Sequence, residues 1–235
     1  IRPTVERLAG HLSTQGIPHQ IVVVNDASDD STAAILDQLA FENPSVHPVH
    51  RVPPRGVGRA VRAGLEHVTG DFVVVVMADL SDDPDDVVQY YRKLLEGYDC
   101  VFGSRFIKGA KVERYPPFKL FLNRLANKFF QWMFWCPFND LTNAFKAYRV
   151  EVIRDCGPYR SCHFNLFTEM SMAAVARDYR IAQVPVQWHG RRSGGSKLLL
   201  TRMSRRYLGT FLMVWSQWFF FRDDLVADRR GNSKS

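Results

Sequence analysis

The stretch IVVVNDASDDST, residues 21–32, decides the fold class. Its first four residues are continuously apolar and β-branched, which is typical of a strand buried on both faces. Asn25 and Asp26 end this run, and a helical spacing begins near Thr32, with Asp30 or Ser31 at the cap position. A buried strand that passes through a polar turn into a helix predicts an α/β fold.

The same pattern recurs along the chain. FVVVVMADLSDDP, residues 72–84, is a second buried run that ends in carboxylates and leads into a helix with Pro84 in its first turn. Other strands are predicted at 46–49, 100–103, 143–148 and 181–186, and helices at 3–15, 32–39, 58–68, 84–95, 119–134 and 167–176. The alternation predicts a mostly parallel sheet with helices on both faces.

Carboxylates follow two of the buried strands, at the edge of an open α/β sheet where ligands bind. Asp26 can accept a hydrogen bond from a nucleoside, and Asp79 can link Mg²⁺ or Mn²⁺ to a diphosphate. Between them, RGVGRA at residues 55–60 brings glycines and arginines that suit phosphate. Each segment alone also fits an ordinary turn or helix cap, and for the first the two interpretations are about equal.

Charge and composition bound the class of protein. The chain has 235 residues, 46% of them hydrophobic, which suits a globular protein, and its net charge is +7. Residues 187–222 carry seven arginines and lysines and no acid. Aromatic-rich runs at 129–138 and 208–221 are shorter than the roughly 20 apolar residues of a spanning helix. Basic residues beside aromatics favour a membrane surface.

Targeting and redox signals point to the cytoplasm. Residues 1–30 lack the apolar segment of a signal peptide. The four cysteines are scattered, which argues against a zinc or redox motif and suits a reducing compartment. Because the sequence enters a helical pattern directly at Ile1, we expect it to be a fragment of a longer chain.

The polar segments, taken in order, resemble those of family-2 glycosyltransferases with the GT-A fold. Downstream motifs resemble the polyprenyl-phosphate mannose and glucose synthases in particular: GSRF at 103–106, NRLAN at 123–127, DLTNAFKAY at 140–148, FNLFTEM at 164–170 and WHGRRSGGSK at 188–197. The resemblance covers roughly residues 1–200. It implies inverting transfer of a hexose from GDP-mannose or UDP-glucose to a polyprenyl phosphate, with Mg²⁺ or Mn²⁺, by a peripheral protein on the cytoplasmic membrane face.

The resemblance also assigns site residues by position. The set implied for catalysis is Asp79, Arg105, Arg124, Arg191 and Lys197. Donor binding is implied for Asp26, Ser28, Asp29, Arg59, Ala78 and Asp79. Asp79 and Ser81 are the implied metal ligands, and the acceptor set is Arg105, Asn123, Arg124 and Asn127. The implied organisation is a GT-A domain at 1–200, an amphipathic membrane-proximal segment at 201–222 and a disordered polar tail at 223–235.

The sequence departs from the family pattern in several places. The family's opening strand, with its P-x-Y-N-E motif, is expected before Ile1. Met77 stands at the first Asp of D-x-D, and a thioether is a poor Mg²⁺ ligand. Asn25 replaces the first Asp of the D-D pair, and Asn123, Asn143 and Ala144 replace Ser, Ser and Gly. The metal site is therefore expected to be weaker, or rebuilt from Asp79, Ser81 and Asp82.

Three other functions stay open on the sequence alone. A nucleic-acid-binding protein would explain the positive charge but not the buried strands that end in Asp, so no nucleic-acid partner is expected. A catalytically impaired sugar-nucleotide-binding module would explain Met77. A transferase with a soluble glycan or protein acceptor would share the donor site. The expected partners are the nucleotide-sugar donor, a polyprenyl phosphate and the membrane surface.

Overall fold

The structure is a computed structural model that describes residues 1–113, 115–189 and 200–232. The first half of the chain alternates helix and strand: α1 Arg2–Thr14, β1 Ile21–Asp26, α2 Thr32–Glu42, β2 Val46–Arg51, α3 Val57–Leu65, β3 Phe72–Val75, α4 Pro84–Leu95 and β4 Cys100–Ser104. The second half contains β5 Lys111–Glu113, α5 Pro117–Phe134, β6 Lys146–Arg149, α6 Val150–Cys156, α7 Asn165–Ala176, β7 Ile181–Pro185, β8 Gln187–His189 and α8 Leu200–Asn232.

The strands form three hydrogen-bonded groups. β1 pairs in parallel with β2, and β5 pairs in parallel with β8. The central sheet has the order β3-β6-β4-β7, in which β4 and β7 are parallel and β6 runs antiparallel to both of its neighbours. The mostly parallel α/β fold is confirmed, with β6 as the reversed strand. Because Lys146 opens β6 opposite Val75 and Phe102, the loop before β6 emerges at the carboxyl ends of β3 and β4.

Helix α7 lies at the centre of the largest core cluster. Most of its residues are apolar, and all of them except Val175 are buried. A helix that is hydrophobic all round must be covered on all faces. It packs against α6 and α8, and its small residues Ala173 and Ala174 lie within the same cluster as Phe211 and Val214 of α8. One face of α8, which carries Phe211 and Val214, is therefore part of the protein core.

The C-terminal helix differs from the sequence prediction. Residues 223–232 continue α8, although the sequence predicted a disordered tail from residue 223, while 233–235 lie outside the described residues. Two contacts explain the difference: the Arg229 guanidinium donates to the Asp178 carbonyl and lies 5.1 Å from the centroid of the Tyr179 ring. The helix is kinked at Phe221, whose φ is −131°. No described helix is long and apolar enough to cross a membrane.

Candidate active site

The end of β1 is tied to the glycine segment by a single carboxylate. Asp26 forms an ion pair with Arg51, the residue opposite it in the β1–β2 register. The other carboxylate oxygen, Oδ2, accepts a hydrogen bond from the Gly56 backbone N–H at 2.6 Å. Asp26 therefore positions both a guanidinium and a backbone amide, which are the groups that bind phosphate or the polar edge of a nucleoside.

Residues 55–58 form the segment that we call the donor loop, because the sequence predicted that its glycines and arginine suit phosphate. Gly56 has a φ of +156°, and a Cβ added there would lie 2.5 Å from the Cys162 carbonyl oxygen. The Gly58 N–H donates to that same oxygen at 3.1 Å. Only glycine permits this approach of two backbones, so the glycines have a specific structural cause. Arg55 pairs with Asp29 at 2.5 Å, and Arg59 donates to the Arg55 carbonyl at 3.2 Å.

The turn after β1 explains the first departure from the family pattern. The side chain of Asn25 is buried, and its Oδ1 accepts from the Ser28 N–H at 3.0 Å. Its Nδ2 lies 3.3 Å from Nδ1 of His50. A carboxylate could accept from Ser28 but could not donate to His50, so the amide suits this position. Ser28 and Asp29 thus follow a turn that is fixed from inside the protein.

The segment after β3 presents the predicted metal-linked carboxylate. Oδ1 of Asp79 accepts from the Ser81 N–H at 3.1 Å, and Leu80 between them has a φ of +61°. Ser81 is 3% exposed. Asp82 is turned inward, where its Oδ2 accepts from the Met77 N–H at 2.8 Å, and burial raises the pKa of Asp82 to about 7. Asp82 holds the segment rather than completing a cluster of carboxylates beside Asp79.

The described side chains near Asp79 could supply only a few ligands to a divalent cation. Among the described residues, no three His, Cys, Asp or Glu side chains are grouped so that they could hold a metal ion. Mg²⁺ is often bound through one or two carboxylates together with substrate phosphates and water. Asp79 fits that role as the single protein carboxylate. The burial of Ser81 makes it a weaker candidate ligand than the sequence suggested.

The end of β4 carries a buried ion pair. Arg105 donates to Asp140 through its backbone N–H at 3.0 Å, through Nε at 2.8 Å and through Nη2 at 2.7 Å. The two side chains are 8% and 0% exposed. Burial alone would lower the pKa of Arg105, but the Asp140 charge raises it above its ordinary value. The charge of Arg105, predicted to hold a phosphate, is therefore largely neutralised by Asp140.

The loop before β6, residues 140–145, is held by amide side chains of α5. Asn127 is buried; its Oδ1 accepts from the Leu141 N–H at 2.7 Å, and its Nδ2 donates to Thr142 Oγ1 at 3.0 Å. Asn123 donates to the Tyr115 hydroxyl, which lies 3.5 Å from Nη1 of Arg105. The predicted acceptor residues Arg105, Asn123 and Asn127 thus lie close together. Asn127 is buried, however, and its hydrogen bonds hold the loop.

Lys146 fixes the other end of this loop. It is fully buried, and its ammonium donates to the carbonyls of Leu141, at 2.9 Å, and Asn143. Burial lowers the pKa of Lys146 to about 7. The nearby Asp140 charge opposes this shift, and the Arg105 charge reinforces it. Loop 140–145 is therefore held by the side chains of both α5 and β6.

Arg124 is the predicted acceptor cation that faces outward. Its side chain is exposed on α5, and its guanidinium lies 5.4 Å from the centroid of the Phe106 ring. It is positioned one turn from Asn127 and beside the loop that follows β4. Arg191 and Lys197, which the sequence also assigned to catalysis, lie outside the described residues.

Comparison with known proteins decides the family. The model of glycosyl transferase family 2 matches residues 1–157, two thirds of the chain. The chain belongs to glycosyl transferase family 2. It is 31% identical over 184 residues to a polyprenol monophosphomannose synthase of Mycolicibacterium smegmatis, which covers 76% of this chain and 69% of the relative. It is also 31% identical over 187 residues to an undecaprenyl-phosphate mannosyltransferase of Micrococcus luteus, covering 76% and 75%.

Solved structures support the same fold for this glycosyltransferase. Glucosyl-3-phosphoglycerate synthase of Mycobacterium tuberculosis, solved with Mn²⁺ and UDP, superimposes with a TM-score of 0.67 at 20% identity. The match covers 91% of this chain and 76% of the neighbour. At this identity the likeness establishes the GT-A fold of the family 2 member and leaves its substrates to other arguments.

The structure adds site residues to this family 2 enzyme that the sequence did not single out. They are Arg51, Tyr115, Asp140 and Lys146, which contact predicted site residues or hold their loop. The contact of Arg51 with Asp26 could have been predicted from the sequence, because the two residues end adjacent parallel strands. The Arg105–Asp140 pair joins segments 35 residues apart and had no local signal, although Asp140 lies in a recognised motif.

Proposed function

We propose that this glycosyltransferase transfers a hexose, with inversion, from a nucleotide diphosphate sugar to a polyprenyl phosphate. The observation that carries the proposal is the position of α5. One side of this helix contacts the loop beside the Arg105–Asp140 pair, through Asn127. Its other side exposes an apolar stripe to the surroundings. A single helix thus joins the site to a surface that suits a lipid. The named relatives act on polyprenol and undecaprenyl phosphates, which supports this acceptor class.

The donor is proposed to bind between β1 and the donor loop. Asp26 would accept from the nucleoside through its remaining lone pairs, since both oxygens already take protein hydrogen bonds. Arg55 precedes Gly56, whose N–H bonds Asp26, and Arg59 donates to the Arg55 carbonyl, so both are proposed to meet the diphosphate. Asp79 would hold Mg²⁺ or Mn²⁺ against the diphosphate, where the metal neutralises the charge that grows on the leaving group. GDP-mannose and UDP-glucose are the donors to be compared.

The acceptor is proposed to bind beside Arg124. A phosphate oxygen is already anionic, so this nucleophile needs orientation and charge balance rather than a general base. An exposed guanidinium on α5 supplies a fork of donors that matches phosphate. Because Arg105 is paired with Asp140, Arg124 is the better candidate of the two for direct phosphate contact.

We propose a peripheral membrane position, which the exposed apolar residues of α5 and α8 support. On α5 the exposed stripe consists of Phe121, Leu125, Phe129 and Trp132, between 44% and 71% exposed. On α8 the exposed apolar residues include Leu208, Leu212, Phe219, Phe220 and Phe221. Phe211 belongs to the run 208–221 that the sequence assigned to a membrane surface, but it is 4% exposed and stacks on Phe130 of α5. The two helices therefore pack on each other and present their remaining apolar residues outward.

We propose that this surface lies on the cytoplasmic face of the membrane, with the phosphate of the acceptor at the level of Arg124. Flotation with anionic vesicles tests the placement. Trp132→Glu and Leu212→Glu change exposed side chains and should abolish flotation without unfolding the protein. Phe41→Glu is the matched control, because Phe41 is 92% exposed on α2, away from this surface. Equal flotation of all variants would contradict the proposed membrane surface.

The function itself is tested by a donor screen. The protein is incubated with polyprenyl phosphate, Mn²⁺ and either labelled GDP-mannose or labelled UDP-glucose, and the lipid is extracted. Label in the lipid phase with one of the donors supports the proposal. Transfer only to a soluble glycan or peptide, with none to lipid, would replace the acceptor class. Donor binding without any transfer would identify a sugar-nucleotide-binding module.

A further inference from the structure

Residues 159–162, which we call the brace segment, pack against the donor loop and hydrogen-bond to it. The Cys162 carbonyl accepts from the Gly58 N–H at 3.1 Å, and the Tyr159 carbonyl accepts from Nη1 of Arg62 at 2.6 Å. The donor loop is thus held at two backbone amides, Gly56 by Asp26 and Gly58 by the brace segment. A shift of the brace segment would move the loop relative to Asp26.

The brace segment is itself fixed by buried polar side chains. Both carboxylate oxygens of Glu169 on α7 accept backbone hydrogen bonds at 2.8 Å, from the N–H groups of Arg160 and Ser161. Glu169 is 3% exposed. A buried carboxylate that accepts two backbone donors stabilises the segment through charge-assisted hydrogen bonds.

A second set of contacts extends from the brace segment to α8. Asn165 Nδ2 donates to Ser161 Oγ and to Thr210 Oγ1, each at 2.8 Å, and the two hydroxyls lie 3.0 Å apart. All three side chains are 6% exposed. Losing one member of such a network leaves its buried partners unsatisfied. The same turn of α8 exposes Leu208 and Leu212 on its other side.

We propose that Thr210, Asn165 and Glu169 are positioning residues for the donor: through the brace segment they set the place of the donor loop opposite Asp26. This inference rests on the proposed function, because it names the nucleotide diphosphate sugar as the ligand of that loop. Helix α8 would then have two roles. It presents the proposed lipid surface, and through Thr210 and the brace segment it positions the donor loop. The three positioning residues hydrogen-bond to the brace segment, so the expected effect is on the place of the donor loop and thereby on donor binding.

The test is Thr210→Val, which keeps the shape of the side chain and removes the hydroxyl. Donor affinity is measured by calorimetry with GDP-mannose and UDP-glucose, and KM is measured separately for donor and polyprenyl phosphate. We expect donor binding to weaken about fivefold, the order of one lost buried hydrogen bond, while acceptor KM stays within about twofold. Thr210→Ser should restore donor binding. Ser216→Ala removes a hydroxyl that bonds only within α8 and should change neither value.

A second variant acts from the other side of the contact and keeps the inference testable if Thr210→Val fails to fold. In Gly58→Ala the added Cβ would lie 2.7 Å from the Ser161 carbonyl oxygen and from the Cys162 carbonyl carbon. It should show the same selective loss of donor affinity. Unchanged donor affinity in both variants, or donor and acceptor KM rising together, overturns the inference alone. A wild-type protein that binds neither donor overturns the proposed function and the inference with it.

Discussion

Replacing Asp140 by Asn should destabilise the protein more than any exposed ion-pair variant. The carboxylate accepts three hydrogen bonds from Arg105, between 2.7 and 3.0 Å, and both side chains are almost fully buried. The amide keeps one oxygen acceptor but has no charge, so the guanidinium stays buried without its counterion. Breaking a buried pair in this way costs about 3–5 kcal/mol of unfolding free energy. Because Asn keeps one hydrogen bond, we expect about 3 kcal/mol.

Urea denaturation followed by circular dichroism measures this loss as a shift in midpoint at unchanged slope. The control is Glu96→Gln, which removes an exposed pair with Lys93 and should leave the urea midpoint nearly unchanged. The double variant Arg105→Met with Asp140→Leu should be more stable than Asp140→Asn, because no lone charge remains buried. A loss below about 1 kcal/mol for Asp140→Asn would refute the buried ion pair and return Arg105 to the candidates for phosphate contact.

Three further outcomes follow from the site. Asp79→Ala should nearly abolish turnover in Mn²⁺ with little change in Tm, because the side chain lies in the turn after β3, where its Oδ1 accepts from the Ser81 N–H; retained activity would remove it as the metal-linked carboxylate. Asp26→Ala should weaken donor binding by about 1–3 kcal/mol in calorimetry, since it releases both Arg51 and the Gly56 N–H, and an unchanged dissociation constant would count against the donor site. Burial lowers the pKa of Lys146 to about 7 from an ordinary 10.5, so between pH 7 and 10 the unfolded chain holds a proton that the folded chain has released. The unfolding free energy should therefore rise with pH relative to Lys146→Met, by about 1 kcal/mol per pH unit, and parallel pH profiles of the two proteins would contradict this.

Periodic apolar patterns predicted the fold well. The bounds of α4 agree with the prediction at residues 84–95, and β1, which ends at Asp26, and β3, which precedes the Asp79 segment, were placed from their apolar runs. The sequence did not reveal that β6 runs antiparallel, because strand direction depends on pairing with β3 and β4 and not on local pattern. It also missed the helix at 223–232, which is polar and held by contacts to Asp178 and Tyr179.

The site was predicted in outline but not in the roles of its side chains. Sequence position assigned a phosphate contact to Arg105, whereas its charge is paired with Asp140 inside the protein. The glycines at 56 and 58 were compatible with an ordinary turn, and their cause lies in the Cys162 backbone, about a hundred residues later. Long-range pairings of this kind are set by packing, which a local pattern does not encode.

A pair of acceptors tests most directly whether a lipid phosphate is the nucleophile. Initial rates of label transfer are compared for a polyprenyl phosphate and for the polyprenol with the same tail but no phosphate, in mixed vesicles with Mn²⁺ and the preferred donor. We expect labelled lipid with the phosphate and none with the alcohol, and loss of that product in Arg124→Ala with donor affinity retained. Equal labelling of the alcohol, or full activity of Arg124→Ala, would contradict a lipid phosphate nucleophile held by Arg124.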